Sequence, residues 1–162
     1  MIKFDQKNMI QRVYIDTSVI GGCFDKEFNE WSNKLIEEVL NGRKIAVFSD
    51  ITIDEIEDAP ERVKNKLKEL LDYNPELVAA DSETNNLAKN YILEGAITEK
   101  YFEDAQHIAI ATIFKVDVLV SWNFKHIVNL DRIRLFNSVN LKNGYSILEI
   151  RTPREILRED KI

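Results

Sequence analysis

Arg12–Val19 reads RVYIDTSV: a short strand whose hydrophobic alternation breaks off at a carboxylate, Asp16, with two hydroxyl residues, Thr17 and Ser18, directly behind it. An acid at the carboxyl end of the first strand of an α/β sheet stands where open sheets place ligands, in the crevice outside the strand ends. The competing expectation is that Asp16 only caps the helix or turn that follows. Other acids at matching places decide between the two.

Downstream the chain alternates. Phe28, Trp31, Leu35 and Val39 recur at helical spacing after a Gly21-Gly22 turn, until Asn41-Gly42 stops them. Lys44–Ser49 (KIAVFS) predicts a second strand running into Asp50–Glu57 (DITIDEIE), where a helix with Ile53 and Ile56 inward puts Glu55 above the strand end. Asp58-Ala59-Pro60 reads as the next helix start with Asp58 as its cap, and Val63, Leu67 and Leu70 continue it. Leu77–Ala80 is expected as a third strand, and Ser82–Glu94 as a helix closed by Gly95.

Thr98–Phe114 (TEKYFEDAQHIAIATIF) predicts the most buried helix, apolar on nearly every face beyond Ala105. Asp104 and His107 therefore stand out at its entry. A buried carboxylate is costly unless it is paired or bound to a cation, whereas His107 is expected as a packed, hydrogen-bonded imidazole. Asp117–Val120 (DVLV) predicts a fourth strand leading to Ser121-Trp122-Asn123-Phe124, with Asp117 at the end opposite Asp16. A helix through Leu130, Ile133 and Phe136, an edge strand at Ser146–Ile150, and a short charged tail complete the chain.

This pattern implies a mainly parallel sheet with helices on both faces, because parallel neighbours need crossover connections. With right-handed crossovers, Asp16, Glu55, Asp104 and Asn123 converge at one edge of the sheet. A chain of 162 residues with 44% apolar composition fits a single domain of residues 1–162, with a core at about 12–150 and a tail at 151–162. No apolar run approaches the roughly 20 residues that span a bilayer, and the amino terminus lacks a signal-peptide core, so the expected location is cytoplasmic. One cysteine, Cys23, excludes an intrachain disulfide and a cysteine-based metal site, and its setting suits packing.

The net charge of −6 argues against a protein that coats nucleic acid nonspecifically. Residues 115–142 nevertheless carry five Lys and Arg against two acids. Lys125, Arg132 and Arg134 in that segment are candidate phosphate contacts, with plain solvation as the alternative. Three carboxylates held together need a cation or protons, since two of them about 4 Å apart repel by roughly 4 kcal/mol at an effective dielectric near 20. Oxygen ligands without cysteine or a histidine pair favour Mg²⁺ or Mn²⁺ over zinc.

YIDTSVIGG from Tyr14, SDITIDEI from Ser49, EDAQHIAIA around Asp104 and DVLVSWNFKHI from Asp117 together resemble the PIN-domain family, in its VapC-like toxin nuclease branch. The resemblance spans about residues 12–150. It implies a three-layer α/β/α fold around a five-stranded sheet, and Mg²⁺- or Mn²⁺-dependent cleavage of phosphodiester bonds, usually in RNA, by the toxin of a toxin–antitoxin pair. An antitoxin partner and a homodimer are implied with it. By position, Asp16, Glu55 and Asp104 match three family acids and become the expected metal ligands, while Asn123 stands where many members have a fourth. Thr17 or Ser18 is expected to hydrogen-bond the Asp16 carboxylate, and Glu103 to face solvent or to supply, from beside Asp104, the charge that Asn123 lacks.

Asn123 keeps open a noncatalytic PIN-like module that binds RNA or protein. An aspartyl phosphatase fits less well, because its D-x-D-x-T/V setting is replaced by Asp16-Thr17-Ser18. A receiver-like phosphoacceptor lacks both the adjacent acidic pair and a lysine after the last strand.

Overall fold

The computed structural model describes residues 10–157. Residues 1–9, where the absence of a leader is read, and 158–162, the end of the tail, lie outside them. The elements run β1 (Gln11–Ile15), α1 (Thr17–Gly22), α2 (Asn29–Leu40), β2 (Lys44–Ser49), α3 (Asp50–Ile56), α4 (Glu61–Leu71), β3 (Glu76–Val78) and α5 (Ser82–Leu93). A 3-10 turn at Glu99–Tyr101 then leads into α6 (Phe102–Ile113), followed by β4 (Val118–Val120), α7 (Leu130–Lys142), β5 (Ile150–Arg151) and α8 (Pro153–Ile156). The sheet order is β3-β2-β1-β4-β5 and every pair is parallel. Among the described residues, no helix is long and apolar enough to cross a membrane.

Alternation along β1 divides the core. Val13 and Ile15 join Ala46, Phe48, Val118 and Val120 against one layer of helices, with Val19, Leu35, Val39 and Leu67. Tyr14 points the other way, with Val47, Leu119 and Ile150, into a layer built from Leu87, Tyr91, Ile108 and Phe136. Both faces are therefore covered, as a parallel sheet requires. The amino-terminal end of the sheet is closed by Arg12, whose Nε donates to Glu76 at 2.7 Å and whose backbone N–H donates to Asp117 at 2.7 Å. Asp117 thus stands far from Asp16 at the other end of the strands.

Chain order reverses at β1: β2 lies on one side of it, and the chain returns on the other side as β4. The crevice of such a sheet opens at this switch point. Asp16 follows β1 there, and its backbone N–H donates to Val120 of β4 at 3.1 Å.

The structure departs from the sequence reading at four places. Thr17–Gly22 is a helix, not a glycine turn. Gly22 serves close packing, since a Cβ there would lie 2.7 Å from Ser32 Oγ and 2.8 Å from Trp122 Nε1. Asp58 caps nothing: α4 starts behind Pro60 with no side-chain cap, and Asp58 stays exposed on a cleft wall. The third strand stops at Val78 because Asp50 Oδ1 takes the Ala80 N–H at 3.0 Å. The last strand forms only at Ile150–Arg151, because Asn137 holds both the N–H and the carbonyl of Leu148 at 2.7 and 3.2 Å.

Gly22→Ala forces a methyl between Trp122 and Ser32, which are themselves joined by a 2.8 Å hydrogen bond. Overpacking of this kind costs about 1–3 kcal/mol. Chemical denaturation should show that loss with little change in the denaturant slope.

Candidate metal centre at the strand ends

Asp16 occupies the N-cap position of α1, yet its carboxylate makes no capping bond to the helix. It is turned inward and is only 5% exposed. Its Oδ2 accepts from Ser18 Oγ at 2.7 Å and from Ser121 Oγ at 2.8 Å. Ser18 in turn accepts the Trp122 N–H at 3.0 Å, which ties the end of β4 to the start of α1. Oδ1 faces His107 Nε2 at 3.8 Å, beyond hydrogen-bonding reach, and so retains its acceptor capacity. Capping is therefore not the reason for an acid at position 16.

Glu55 reaches the same place from α3, a helix started by Ser49, whose Oγ accepts the Thr52 N–H. Thr17 Oγ1 donates to Glu55 Oε2 at 2.7 Å, and His107 Nε2 donates to Oε1 at 2.6 Å. Thr17 therefore serves Glu55 and Ser18 serves Asp16. Burial raises the Glu55 carboxyl, but the hydrogen bond and charge of His107, with Thr17, outweigh it and leave the group below its ordinary value.

His107 is fully buried. Its Nδ1 lies 2.6 Å from Tyr14 Oη, which lies 2.7 Å from Ser49 Oγ. Burial disfavours a charge on this ring, yet Tyr14, the Glu55 hydrogen bond and the charges of Asp16 and Glu55 prevail and raise its pKa well above the ordinary value. One ligand atom each from Asp16, Glu55 and His107 falls within 4.8 Å of the others. With a proton on Nε2 donated to Glu55 and Nδ1 occupied by Tyr14, however, the imidazole offers no lone pair to a cation. His107 is a donor to the cluster.

Asp104 stands in the first turn of α6 and is half-buried. Burial, then the charge of Asp16, pushes its carboxyl up to about 6, with Glu55 and Glu103 adding to the shift and His107 opposing it. Asn123 Nδ2 points at Asp104 Oδ2 across 3.5 Å, while its Oδ1 accepts the His126 N–H at 3.0 Å. The amide thus presents its donor to the acids, and its oxygen is engaged elsewhere.

Between these groups opens a cleft of about 500 Å³ lined by Thr17, Ile51, Asp54, Glu55, Asp58, Glu103 and Asp104. Glu103, expected to face solvent, is exposed but forms part of this wall. Of the basic candidates, Lys125 is exposed just beyond Asn123. Arg132 gives a guanidinium N–H to the Ala96 carbonyl at 2.6 Å, and Arg134 is exposed on α7 and lines no part of the cleft.

Hard carboxylate oxygens, a buried imidazole with no lone pair to offer, and an acid whose charge is suppressed by its neighbours fit a divalent cation of the Mg²⁺ or Mn²⁺ type. His107 stands as the packed, hydrogen-bonded imidazole expected from the sequence, but sequence reasoning missed its partners Tyr14 and Glu55 and the bond from Ser121 to Asp16. The repetition of a hydroxyl at the end of two apolar runs, YIDTS and DVLVS, was the available signal for Ser121.

A five-stranded parallel sheet ordered 3-2-1-4-5 between helical layers is a fold this chain shares with solved VapC-type structures. The fold is similar to that of a chain of VapBC2 from Rickettsia felis, solved bound to a DNA fragment from its promoter, at TM-score 0.55 and 16% identity over 88% of this chain and 98% of that one. Mycobacterium tuberculosis VapC20, a sarcin-ricin loop cleaving toxin, matches at TM-score 0.54 and 10% identity over 70% and 92%. FitAcB from Neisseria gonorrhoeae matches at 0.54 and 14% over 88% and 98%. At these identities the likeness is one of fold. No family model matches the sequence, and no curated protein matches it.

Because the Asp104 pKa rises from 3.8 to about 6 on folding, the folded state binds more protons than the unfolded chain between those values. Its contribution to stability is therefore lost as pH rises through that window. Asp104→Asn lacks this dependence. In EDTA, the Tm of the variant relative to the parent should rise from pH 4 to pH 6 and then level off, and Mg²⁺ or Mn²⁺ should raise the Tm of the parent alone. A pH-independent difference would contradict the charge crowding.

Proposed function

We propose that this protein is a Mg²⁺- or Mn²⁺-dependent endoribonuclease, a single PIN-like domain that acts in the cytoplasm as the toxin of a toxin–antitoxin pair. The observation that carries this reading is the meeting of Asp16 and Glu55 at the strand ends beside an acidic cleft lined by Glu55 and Asp104, with the Asp104 carboxyl pushed up to about 6 by burial and by its acidic neighbours. The likeness in fold to a sarcin-ricin loop cleaving toxin supports the choice of RNA. The VapC-like resemblance supports an antitoxin that occupies the cleft, and a homodimer.

Asp16, Asp104 and Glu55 would hold the ion. When bound, such an ion supplies charge neutralisation at a scissile phosphate and acidifies an attacking water. Ser18 and Ser121 fix the Asp16 carboxylate through Oδ2, which leaves Oδ1 as its ligand atom. Thr17 and His107 fix Glu55 through one oxygen each, so Glu55 is oriented to accept a proton from the attacking water. The water oxygen forms the new bond to phosphorus, the bond to the leaving oxygen breaks, and that oxygen is protonated from solvent. Asn123 orients Asp104 through its amide N–H.

The amide at position 123, where a fourth acid is common, favours a second reading as a noncatalytic RNA- or protein-binding module. Cleavage of a pool of structured and single-stranded RNAs in Mg²⁺, Mn²⁺ or EDTA separates the two. The expected result is cleavage that requires the divalent ion. Asp16→Asn and Asp104→Asn should each lose more than the roughly 10–100-fold typical of outer-shell changes, and Ser121→Ala should fall within that range. Equal cleavage by the parent and Asp104→Asn would refute the assignment. Absence of both cleavage and divalent-ion binding would favour the binding module.

A further inference from the structure

Asp104 and Asn123 face each other across 3.5 Å. Three residues before the first and three after the second stand Tyr101 and His126, whose rings also meet, with centroids 3.7 Å apart and planes 31° from parallel. The two pairs thus form consecutive rungs between the entry to α6 and the loop after β4. Tyr101 ends the 3-10 turn that leads into α6, so the aromatic pair lies three residues outside the Asp104–Asn123 pair on each segment of the chain.

Both residues are half-buried, and Tyr101 also packs against the core. Lys100 Nζ lies 5.6 Å from the Tyr101 centroid. Partial burial of His126, together with the positive charges of Lys125, Arg132 and Lys100, holds its imidazole below the ordinary value. The charged groups that act on this ring are cationic. Arg132 is already tied to the Ala96 carbonyl, whereas Lys100 and Lys125 are exposed. Lys34 and Arg154 over Trp31, and Arg62 over Phe24, bring cations to rings elsewhere; the Tyr101–His126 pair differs in adjoining Asp104 and Asn123 in sequence.

We infer that the Tyr101–His126 pair, flanked by Lys100 and Lys125, seats a nucleotide of single-stranded RNA next to the acidic cleft. The rings supply a stacking face for a base, which any base can use. The two lysines supply sequence-independent contacts to the adjoining phosphates. A strand held there would be led past Asn123 and Asp104, so the seat rests on the nuclease reading for its purpose, though not for its binding. Specificity for bases beyond stacking would have to come from other surfaces.

The test is binding of a short fluorescein-labelled single-stranded RNA in EDTA, read by anisotropy across a salt series, together with kcat and KM for cleavage in Mn²⁺. Tyr101→Ala should weaken binding at least about fivefold, and Tyr101→Phe should restore it. Lys100→Ala with Lys125→Ala, both at exposed positions, should lower the salt slope by about 0.7 for each phosphate no longer neutralised. KM should rise in both, with kcat and the Mn²⁺-induced Tm shift little changed. Unaltered affinity and KM in these variants, with cleavage intact in the parent, would remove the seat and keep the nuclease. Weakened binding in the variants of a parent that cleaves nothing would keep the seat and remove the nuclease. No RNA binding by the parent would overturn the seat.

Discussion

Repulsion between carboxylates at the carboxyl ends of the strands is the constraint that the surrounding side chains answer. Asp16, Glu55 and Asp104 come from three separate elements; Glu55 and Asp104 line one cleft with Asp54, Asp58 and Glu103, and the charge of Asp16 acts on Asp104. Two such charges about 4 Å apart cost roughly 4 kcal/mol at an effective dielectric near 20. The polar side chains bonded to the three inner acids present donors to them: Ser18 and Ser121 to Asp16, Thr17 and His107 to Glu55, Asn123 to Asp104. These bonds orient the acids, but only His107 brings positive charge. The Tyr14–Ser49 hydroxyl pair behind it makes a buried imidazolium tolerable by supplying a partner at Nδ1.

The same logic is reversed at the other end of the sheet. There Arg12 is matched to Glu76 and Asp117, and the charges are internally paired. One end is closed by the Arg12–Glu76 ion pair and the Arg12–Asp117 hydrogen bond, and the other is left with an excess of one sign. The molecule thus has a structural end and a chemically demanding end, and the polarity of the parallel strands assigns which is which.

Much of this was legible in the residues. The strands KIAVFS and DVLV, the helix entering at Asp104, and the placement of Asp16 and Glu55 follow from periodicity and from where apolar runs stop. What stayed hidden depended on partners distant in sequence. Gly21-Gly22 looks like a turn because glycine disfavours helices, yet Gly22 lies in a helix where Trp122 and Ser32 leave no room for a methyl. Asp58 has cap chemistry, but Pro60 took the cap position. Alternation puts Tyr14 on the face opposite Val13 and Ile15, but nothing local links it to His107, 93 residues away. Likewise, an asparagine can turn either end of its amide toward an acid, and only the His126 N–H decides which.

The strand order has a consequence for biosynthesis. Asp16 is made early, but the serine that fixes it lies 105 residues later, and β4, which flanks β1, follows every other element of the site except Asn123. Domains with such distant pairings close late, since the loop entropy must be met before the pairing forms. A chain on the ribosome therefore lacks the Ser121 bond to Asp16, and the β4 neighbour of β1, until β4 has emerged. The constellation with its Ser121 and Asn123 partners can form only after synthesis has passed residue 123.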